Sequence, residues 1–401
     1  MPNEASLKTK LINRAQNKMA DHYFKKHQKI VFNRDKDKII NVAFIVQMPA
    51  VWDKQIGLFE KLSADDGFNA FIIVAPNYSI EKGGIDYSDY STEFYKNRYG
   101  ASNIIIFEKE MVFGDIRNKY DIDYVFYDRP YNFYLPDELK TNNTVKHCVT
   151  CNINYCTFDW DTEFLYDEFA KYIMNWYATS SDEYDCYNKF YSNLKYRRCY
   201  NYGYPAYETY GQTLKNKCDS KTILWTPRWS YDEKTGGSHF IEYIDNLIDY
   251  FADNKYYNLV IRPHPIMFEN FISKGIMTTE RVDEIHDKCE RAGISFDDNA
   301  LILDTFRDTA ILLADNSSVI NMYMTSGRPV IYCPTDNIVF SKEFNELVEG
   351  MYVAEDWDSI VQYIENLNDG TDPLKKKREL IQNELNSIHG DSISKIVDSL
   401  R

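Results

Sequence analysis

The stretch Ile311-Leu312-Leu313-Ala314-Asp315-Asn316-Ser317-Ser318-Val319-Ile320 decides the fold class of this chain. An apolar run typical of a buried strand ends in an acid, and two hydroxyl side chains then precede a helix-like segment that closes at Gly327-Arg328-Pro329. A second apolar run, Val330-Ile331-Tyr332-Cys333, follows at once. Strand, polar turn, helix and strand form a βαβ unit, which predicts an α/β protein with a parallel sheet.

The polar turn from Asp315 to Ser318 has two interpretations. Backbone N–H groups at the start of a helix attract anions, so the turn is suited to a phosphate. Alternatively, Asp315 or Ser317 caps the helix and satisfies those N–H groups without any ligand. The turn alone does not decide between a binding site and an ordinary helix cap.

Length and composition restrict the class of protein. A chain of 401 residues is too long for one hydrophobic core and predicts two domains. The formal net charge of −15 argues against nucleic acid as a partner. No run of eighteen apolar residues is present, and the polar start Met1-Pro2-Asn3-Glu4 lacks a secretion signal, so we expect a cytoplasmic protein. The eight cysteines fit that compartment as reduced thiols.

A metal site or cofactor is not expected. The cysteine-rich stretch from His147 through Cys148 and Cys151 to Cys156 lacks a second ligand pair at zinc-binding spacing. Asp-x-Asp pairs occur, but they are expected by chance in so acidic a chain. Phosphate-loop, dinucleotide-binding and His-Glu-x2-His motifs are absent. These observations predict metal-independent chemistry.

The first 38 residues are basic, with ten Lys and Arg against four Asp and Glu. Apolar residues recur there at every fourth position, namely Leu7, Leu11, Ala15, Met19 and Tyr23. This pattern is typical of a basic amphipathic helix that lies on anionic lipid or on another protein. The alternative is a solvated helix packed on its own domain.

Beyond residue 38, strand-like and helix-like segments alternate, which indicates parallel sheets covered on both faces. The pattern is interrupted near residues 200–220 and then restarts. We expect a helix at 1–38, Rossmann-like domains at 39–200 and 201–370, and closing helices at 371–401. The predicted strands are Asn41–Gln47, Ala70–Val74, Asn103–Phe107, Asp123–Tyr127, Val145–Tyr155, Thr222–Thr226, Asn258–Arg262, Leu301–Leu303, Ile311–Leu313 and Val330–Cys333, and the predicted helices include Val51–Leu62, Phe240–Phe251, 356–367 and 372–387.

Candidate site residues in the second half follow predicted strands, so one sheet would present them along its carboxyl edge. Two guanidinium groups, an imidazole and a helix start suit a diphosphate or phosphoryl group. A proline-flanked histidine is otherwise typical of a rigid turn. The candidates are Thr226, Arg228, Arg262, His264, Asp304, Thr305, Asp315, Ser317 and Ser318.

A further candidate segment runs from Thr235 to Phe240. Its glycines, Gly236 and Gly237, would let the backbone approach a ligand closely, or they belong to a flexible loop capped by Ser238. His239 opens the following helix and has a side chain suited to taking a proton from an alcohol. His239 and His264 are therefore equal candidates for a catalytic histidine.

The second half resembles the bacterial CDP-glycerol glycerophosphotransferase family, the polymerases and primases of wall teichoic acid and capsule. The resemblance covers about residues 195–340, and as an ordered set its motifs are fairly specific. The matching features are Gly203-Tyr204-Pro205, Thr226-Pro227-Arg228-Trp229, Arg262-Pro263-His264-Pro265, Ala314-Asp315-Asn316-Ser317-Ser318 and Gly327-Arg328-Pro329-Val330-Ile331-Tyr332.

This resemblance implies a GT-B arrangement, in which two Rossmann-like domains face a central cleft. Residues 39–200 would bind the acceptor and residues 201–370 the nucleotide donor. Ser317 and Ser318 would bind the donor phosphates, while Arg262 and His264 would flank the transferred group with Arg228 nearby.

The first half departs from the family. Polymerases of the family usually carry a Trp-His-Gly-Thr-type motif that supplies a histidine thought to be the base. The corresponding region here reads Gln47-Met48-Pro49-Ala50-Val51-Trp52-Asp53, and Trp-His-Gly occurs nowhere in the chain. Either His239 or Asp53 would take over that role, or the acceptor chemistry differs.

The resemblance therefore implies a transferase that moves glycerol phosphate, or ribitol phosphate, from a CDP-activated donor to a hydroxyl of a surface polymer or lipid-linked acceptor. Such a protein would be cytoplasmic and peripheral on the inner face of the membrane. One alternative is a nucleotide-sugar glycosyltransferase of the same fold. Another is a non-catalytic nucleotide-binding subunit.

Overall fold

The computed structural model describes residues 7–155, 162–231, 237–254, 256–335 and 342–401. The chain divides into two compact units. The first contains the residues up to Glu208 together with His389–Arg401, and the second is Thr209–Ile388.

The first unit is built on a parallel sheet with strand order β5-β2-β1-β6-β7-β8-β9, and β3 and β4 form a separate antiparallel pair. The order reverses between β1 and β6, which makes this the topological switch point. The strands are β1 (Ile40–Val46), β2 (Phe68–Val74), β3 (Asn77–Ser79), β4 (Gly84–Asp86), β5 (Ile104–Ile106), β6 (Tyr124–Tyr127), β7 (Val149–Ile153), β8 (Asn175–Tyr177) and β9 (Arg198–Tyr200).

Helices connect these strands, and the division between the units falls within α9. Short 3₁₀ turns lie at Asn132–Tyr134, Asp137–Leu139 and Thr162–Tyr166. The helices are α1 (Leu7–Phe32), α2 (Pro49–Trp52), α3 (Ile56–Ser63), α4 (Thr92–Tyr99), α5 (Phe113–Tyr120), α6 (Thr141–Thr144), α7 (Glu168–Lys171), α8 (Ser181–Phe190) and α9 (Pro205–Leu214).

The second unit is also built on a parallel sheet, with order β12-β11-β10-β13-β14-β15. Numbered within the unit this is 3-2-1-4-5-6, the Rossmann order, and its switch point lies between β10 and β13. The strands are β10 (Thr222–Thr226), β11 (Asn258–Ile261), β12 (Ser295–Phe296), β13 (Ile311–Ala314), β14 (Val330–Tyr332) and β15 (Tyr352–Val353).

Helices again follow most strands of this sheet, and the last helix belongs to the first unit. They are α10 (Phe240–Asp253), α11 (Met267–Ser273), α12 (Thr279–Arg291), α13 (Ile302–Arg307), α14 (Val319–Met324), α15 (Lys342–Val348), α16 (Trp357–Asn368), α17 (Lys375–His389) and α18 (Ser392–Leu400).

Central strands are buried on both faces, which is why they read as continuous apolar runs rather than alternating ones. Every residue of β1 and of β13 is buried. In the second unit, Trp225 of β10 stacks on Phe240 at the start of α10 with ring centroids 5.3 Å apart. The strand end and the helix start are thereby fixed to each other beside the predicted site. The predicted α/β class with two Rossmann-like sheets is confirmed.

One predicted strand is wrong. Leu301–Leu303 was expected to be extended, but Ile302 begins helix α13. Ile302 and Phe306 are both buried and lie four residues apart, so helical spacing places them on one face. An apolar run of three residues fits either structure, and Asp304 and Thr305 therefore lie within a helix rather than after a strand.

Two further elements differ in extent from the prediction. The helix expected over Val51–Leu62 is two helices, α2 and α3, separated at residues 53–55. The strand expected over Val145–Tyr155 is confined to Val149–Ile153. Helix α6 ends at Thr144 and Val145 is its C-cap, so the strand cannot begin at Val145.

Helix α1 packs on its own unit through a face that the predicted stripe does not include. Ala20 and Phe24 are completely buried, and the ring Nε2 of buried His27 lies 2.7 Å from the carbonyl oxygen of Val145. Within the predicted stripe, Ala15 and Met19 are exposed. The side chains of residues 7–11 lie outside the described part of the structure.

Polar contacts tie the same face of α1 to the unit. The Lys171 ammonium donates to Asn13 Oδ1 at 2.7 Å and to Gln16 Oε1 at 2.9 Å. The Arg197 guanidinium donates to Asn17 Oδ1 at 2.9 Å. None of the described helices is long and apolar enough to cross a bilayer.

Replacing Phe24 should test this packing. Phe24→Ala removes a completely buried ring, over which the Arg197 guanidinium lies 5.2 Å from the ring centroid. We expect a loss of about 3–5 kcal/mol in the free energy of unfolding of the first unit, measured by thermal and denaturant unfolding. Met19→Ala, at a position 46% exposed on the same helix, is the control and should cost less than about 1 kcal/mol. Equal losses in both variants would contradict the observed packing face.

Candidate functional site

The Asp315 carboxylate is the centre of the candidate site. Asp315 directly follows β13 and is completely buried. Its Oδ2 accepts hydrogen bonds from the backbone N–H of Arg228 at 2.9 Å, the Ser238 hydroxyl at 3.0 Å and the backbone N–H of His239 at 3.2 Å. Burial raises the pKa of Asp315, while the nearby His239 and these donors oppose that shift. One carboxylate thus holds the loop after β10 and the start of α10 against the end of β13.

Arg228 joins two of the site loops. Its guanidinium donates to the backbone carbonyl of Asn316 at 2.8 Å, so the residue contacts the Asp315–Ser318 turn through both its backbone and its side chain. The side chain is partly exposed. A half-buried cation next to a turn rich in hydroxyl groups favours an anionic ligand.

Asn316 and His239 bring a third loop into the site, the one that follows β14. The Asn316 amide donates to Thr335 Oγ1 at 2.5 Å, and the Tyr332 hydroxyl donates to Asn316 Oδ1. The His239 Nε2 lies 3.0 Å from the carbonyl oxygen of Pro334. Because a carbonyl only accepts, this nitrogen carries the proton, and the lone pair of a neutral His239 is on Nδ1.

His264 lies beside Arg228, on the other side of β10 from Asp315. Its ring centroid is 6.2 Å from that of Trp229. Desolvation by the surrounding loops and the charge of Arg228 lower the pKa of His264 to about 4, although part of the residue is exposed. The ring is therefore neutral at pH 7. Its Nδ1 accepts the backbone N–H of Ile266 at 3.4 Å, which places the ring proton on Nε2.

Arg262 belongs to a separate cluster. Its guanidinium forms an ion pair with Asp297 and donates to the backbone carbonyl of Asn299 at 2.8 Å. Thr305 Oγ1 donates to the same Asp297 carboxylate at 2.6 Å. These contacts hold the end of β11 to the loop after β12. The Arg262 guanidinium therefore contacts Asp297 and Asn299, and it is not part of the cluster around Asp315.

The remaining candidate residues differ in their exposure to solvent. Ser317 is half-buried and Ser318 is exposed, and α14 begins directly after them. Thr226, the last residue of β10, is buried, and its hydroxyl has no partner among the described residues. A methyl group added at Gly237 would meet no atom of the described residues within 4 Å. Thr235 and Gly236 lie outside the described residues.

These loops converge on the switch point of the second sheet. The Asp315 and His264 loops follow β13 and β11, the two neighbours of β10, and both contact the Arg228–Trp229 loop. An arginine, a neutral histidine carrying a ring N–H and the hydroxyls of Ser317 and Ser318 are groups that bind phosphoryl oxygens. The geometry therefore suits a diphosphate at this edge.

The sequence alone did not single out Asn316, Tyr332 or Asp297 as parts of the site. Asn316 and Tyr332 stand within quoted motifs, and their spacing after consecutive strands was the available signal. Asp297 follows a strand of only two residues, β12, which the apolar pattern did not indicate.

In the first unit, Asp53 is unsuited to act as a base. It is completely buried and paired with Lys54 at 2.7 Å.

Cys148 and Cys151 are buried free thiols whose pKa values burial raises, and Cys156 lies outside the described residues. Within the described residues, no group of three or more His, Cys, Asp or Glu side chains could hold a metal ion.

Comparison with protein families gives a match to the CDP-glycerol:poly(glycerophosphate) glycerophosphotransferase model over residues 159–400. That range includes every residue of the cluster around Asp315. The chain belongs to this family. It is accordingly a transferase of the glycerophosphotransferase type. No curated protein sequence matches it.

Solved structures show the same fold at low identity. The UDP-GlcNAc 2-epimerase of Neisseria meningitidis, bound to UDP-GlcNAc, has a TM-score of 0.58 at 9% identity and covers 90% of this chain and 99% of its own. The wall teichoic acid polymerase TagF, as a histidine-to-asparagine variant soaked with CDPG, has a TM-score of 0.50 at 12% identity, with coverages of 98% and 96%. These likenesses show the fold, two Rossmann-like units of the GT-B type.

The central role of Asp315 in this glycerophosphotransferase can be tested by truncation. Asp315→Ala leaves three donors without an acceptor, and we expect a loss of about 2–4 kcal/mol in the stability of the second unit. Hydrogen exchange at the backbone N–H of Arg228 and His239 should accelerate at the same time. Asp315→Asn, which keeps one carbonyl oxygen, should fall between wild type and Ala. Asp298→Ala, at an exposed site, is the control. Unchanged exchange in Asp315→Ala would rule out this role.

Proposed function

We propose that this protein transfers glycerol phosphate, or a related polyol phosphate such as ribitol phosphate, from a CDP-activated donor to a hydroxyl of a cell-surface polymer or lipid-linked acceptor. The acceptor oxygen attacks the phosphorus of the polyol phosphate and forms a new O–P bond. The bond from that phosphorus to the pyrophosphate bridging oxygen breaks, and CMP leaves with the electron pair. Phosphoryl transfer of this kind depends mainly on positioning and charge neutralisation.

The observation that carries the proposal is the Asp315 cluster at the switch point of the second unit, inside the range matched by the family. In our proposal Arg228, Ser317 and Ser318 bind the donor diphosphate. Thr226 and the Gly237–Ser238 turn line the same donor site.

We assign different roles to the two histidines because their proton positions differ. His264 presents Nε2–H and would donate to an oxygen of the transferred phosphate. His239 has its lone pair on Nδ1, 3.8 Å from the Glu242 carboxylate, and is our candidate for the group that takes the acceptor proton. Arg262 would assist only if a ligand drew it away from Asp297, so we propose that it positions the His264 loop.

Location is a further part of the proposal. We propose that the protein works in the cytoplasm, peripheral on the inner face of the membrane, and binds anionic lipid through residues 1–38. In support, α1 leaves Ile12, Met19 and Ile30 exposed, about 46–49% each, and Lys26, seven residues after Met19 and four before Ile30, is exposed on the same face. Apolar side chains flanked by cations are typical of a helix at a lipid surface.

A donor screen tests the reaction and its alternatives. We expect CDP-glycerol or CDP-ribitol, at a hundred times the dissociation constant, to add about 2.7 kcal/mol of stability in a thermal-shift assay. CMP release with a polyol-phosphate acceptor should accompany binding. Turnover of a sugar nucleotide with no response to CDP-polyols would favour a glycosyltransferase. Binding without CMP release for any acceptor would favour a non-catalytic subunit.

Variants test the residue roles. His264→Ala and Ser317→Ala should each lower the rate of CMP release about 10²–10³-fold, since each removes a donor to phosphate oxygens, with little change in thermal stability. Matched controls in the same unit are His286→Ala and Ser273→Ala, both at exposed positions on helices. Wild-type turnover in either site variant would remove that residue from the mechanism.

A further inference from the structure

The first unit contains a cavity of about 520 Å³ that the transfer reaction does not use. Four of the lining residues, Tyr124, Val149, Asn175 and Arg198, are the first residues of β6, β7, β8 and β9. The cavity is therefore at the amino edge of the sheet, opposite the edge where ligands of such folds usually bind. Its volume is within the range of about 300–1,000 Å³ typical of small-molecule sites.

The charge of this cavity is unlike that of the chain. Lys29 and Arg198 line it, and its described lining contains no carboxylate, although the chain has 61 Asp and Glu against 46 Lys and Arg. Both cations are exposed and have no ion-pair partner among the described residues. The cavity is therefore suited to an anion such as a phosphate group.

The side-chain oxygen of Asn175 indicates that a ligand of this cavity also carries a hydrogen-bond donor. Asn175 is 5% exposed, and its side-chain oxygen has no hydrogen-bond partner among the described residues. A buried acceptor without a partner costs about 1–3 kcal/mol, so a rotation of the Asn175 amide that lets a ligand hydroxyl donate to this oxygen would be stabilising. The Ser399 hydroxyl, bonded to the Tyr177 hydroxyl at 2.9 Å, lines the same cavity.

Apolar side chains form another part of the wall, together with the polar side chains of Gln28 and Asn33 from the end of α1 and the loop after it. Val31, Phe32, Val149 and Met174 line the cavity, and Phe32, the last residue of α1, is 86% exposed. An exposed phenylalanine beside a cationic cavity suits a ligand with an anionic head and an apolar chain.

We propose that this cavity binds the headgroup of an anionic phospholipid whose phosphate is esterified to a hydroxylated alcohol such as glycerol. Lys29 and Arg198 bind the phosphate, Asn175 accepts a hydrogen bond from a headgroup hydroxyl, and Phe32 contacts the start of the acyl chain. This inference rests on the proposed membrane location and is independent of the transfer reaction. A soluble polyol phosphate shares the same head chemistry, and the experiment separates the two sources.

The test is flotation of the full-length protein with phosphatidylcholine vesicles that contain equal fractions of phosphatidylglycerol or phosphatidylserine. We expect wild type to prefer phosphatidylglycerol about tenfold. The double variant Lys29→Gln/Arg198→Gln should lose this preference. Lys18→Gln/Lys25→Gln removes the same charge from exposed positions of α1 outside the cavity and should weaken binding to both vesicles while keeping the preference. Asn175→Leu should lose the preference without a lower thermal midpoint.

Two outcomes of the flotation assay would contradict the lipid-headgroup proposal. Equal binding of wild type to the two anionic vesicles, or equal effects of the two double variants, would overturn the proposal and leave only surface electrostatics. Binding of sn-glycerol 3-phosphate as tight as that of the vesicles would assign the cavity to a soluble ligand instead. CMP release measured without vesicles should be unchanged in the Lys29/Arg198 variant. Flotation therefore tests the lipid site, and CMP release tests the proposed transfer reaction independently of it.

Discussion

One buried carboxylate holds the candidate site together. Asp315 ends a central strand where the connections diverge to opposite faces of the sheet, and backbone N–H groups at such a point have no neighbouring strand to bond. Its Oδ2 accepts from Arg228, Ser238 and His239, so loops that are distant in sequence have one common acceptor. The cost of burying the charge, seen in its raised pKa, is offset only while all three donors are present.

The first unit also has a buried aspartate that accepts backbone N–H groups at its switch point. Asp128 directly follows β6, the strand equivalent to β13, and its Oδ2 accepts the backbone N–H of Gln47 at 2.7 Å and of Met48 at 3.0 Å, just after β1. Burial raises the pKa of Asp128 as it does that of Asp315. An acid at this position in both sheets satisfies the orphan N–H groups of the switch point. Asp128, like the ion-paired Asp53, therefore has a structural role that limits its use as a base.

The sequence predicted those features that depend on short-range patterns. The strand before Asp315, the turn, α14 and β14 follow from an apolar run, small polar residues and a Gly-x-Pro stop within about twenty residues. What depends on tertiary partners could not be predicted. Leu301–Leu303 suits a strand as well as a helix. On α1, two sets of residues have helical spacing, and contacts from Lys171 and Arg197, over 150 residues away, select Ala20 and Phe24 as the packed face.

The two edges of the first sheet are built by different parts of the chain. The carboxyl edge is formed by βα loops, which belong to the repeating pattern of the fold. The amino edge is covered by α1, before the first strand, and by α18, after the last, and both are additions to that pattern. Packing alone would need apolar residues at their contact with the sheet. Instead a cationic cavity with an unpartnered Asn175 oxygen remains there, which is difficult to explain as a means of stabilising the fold and easier to explain as a ligand site.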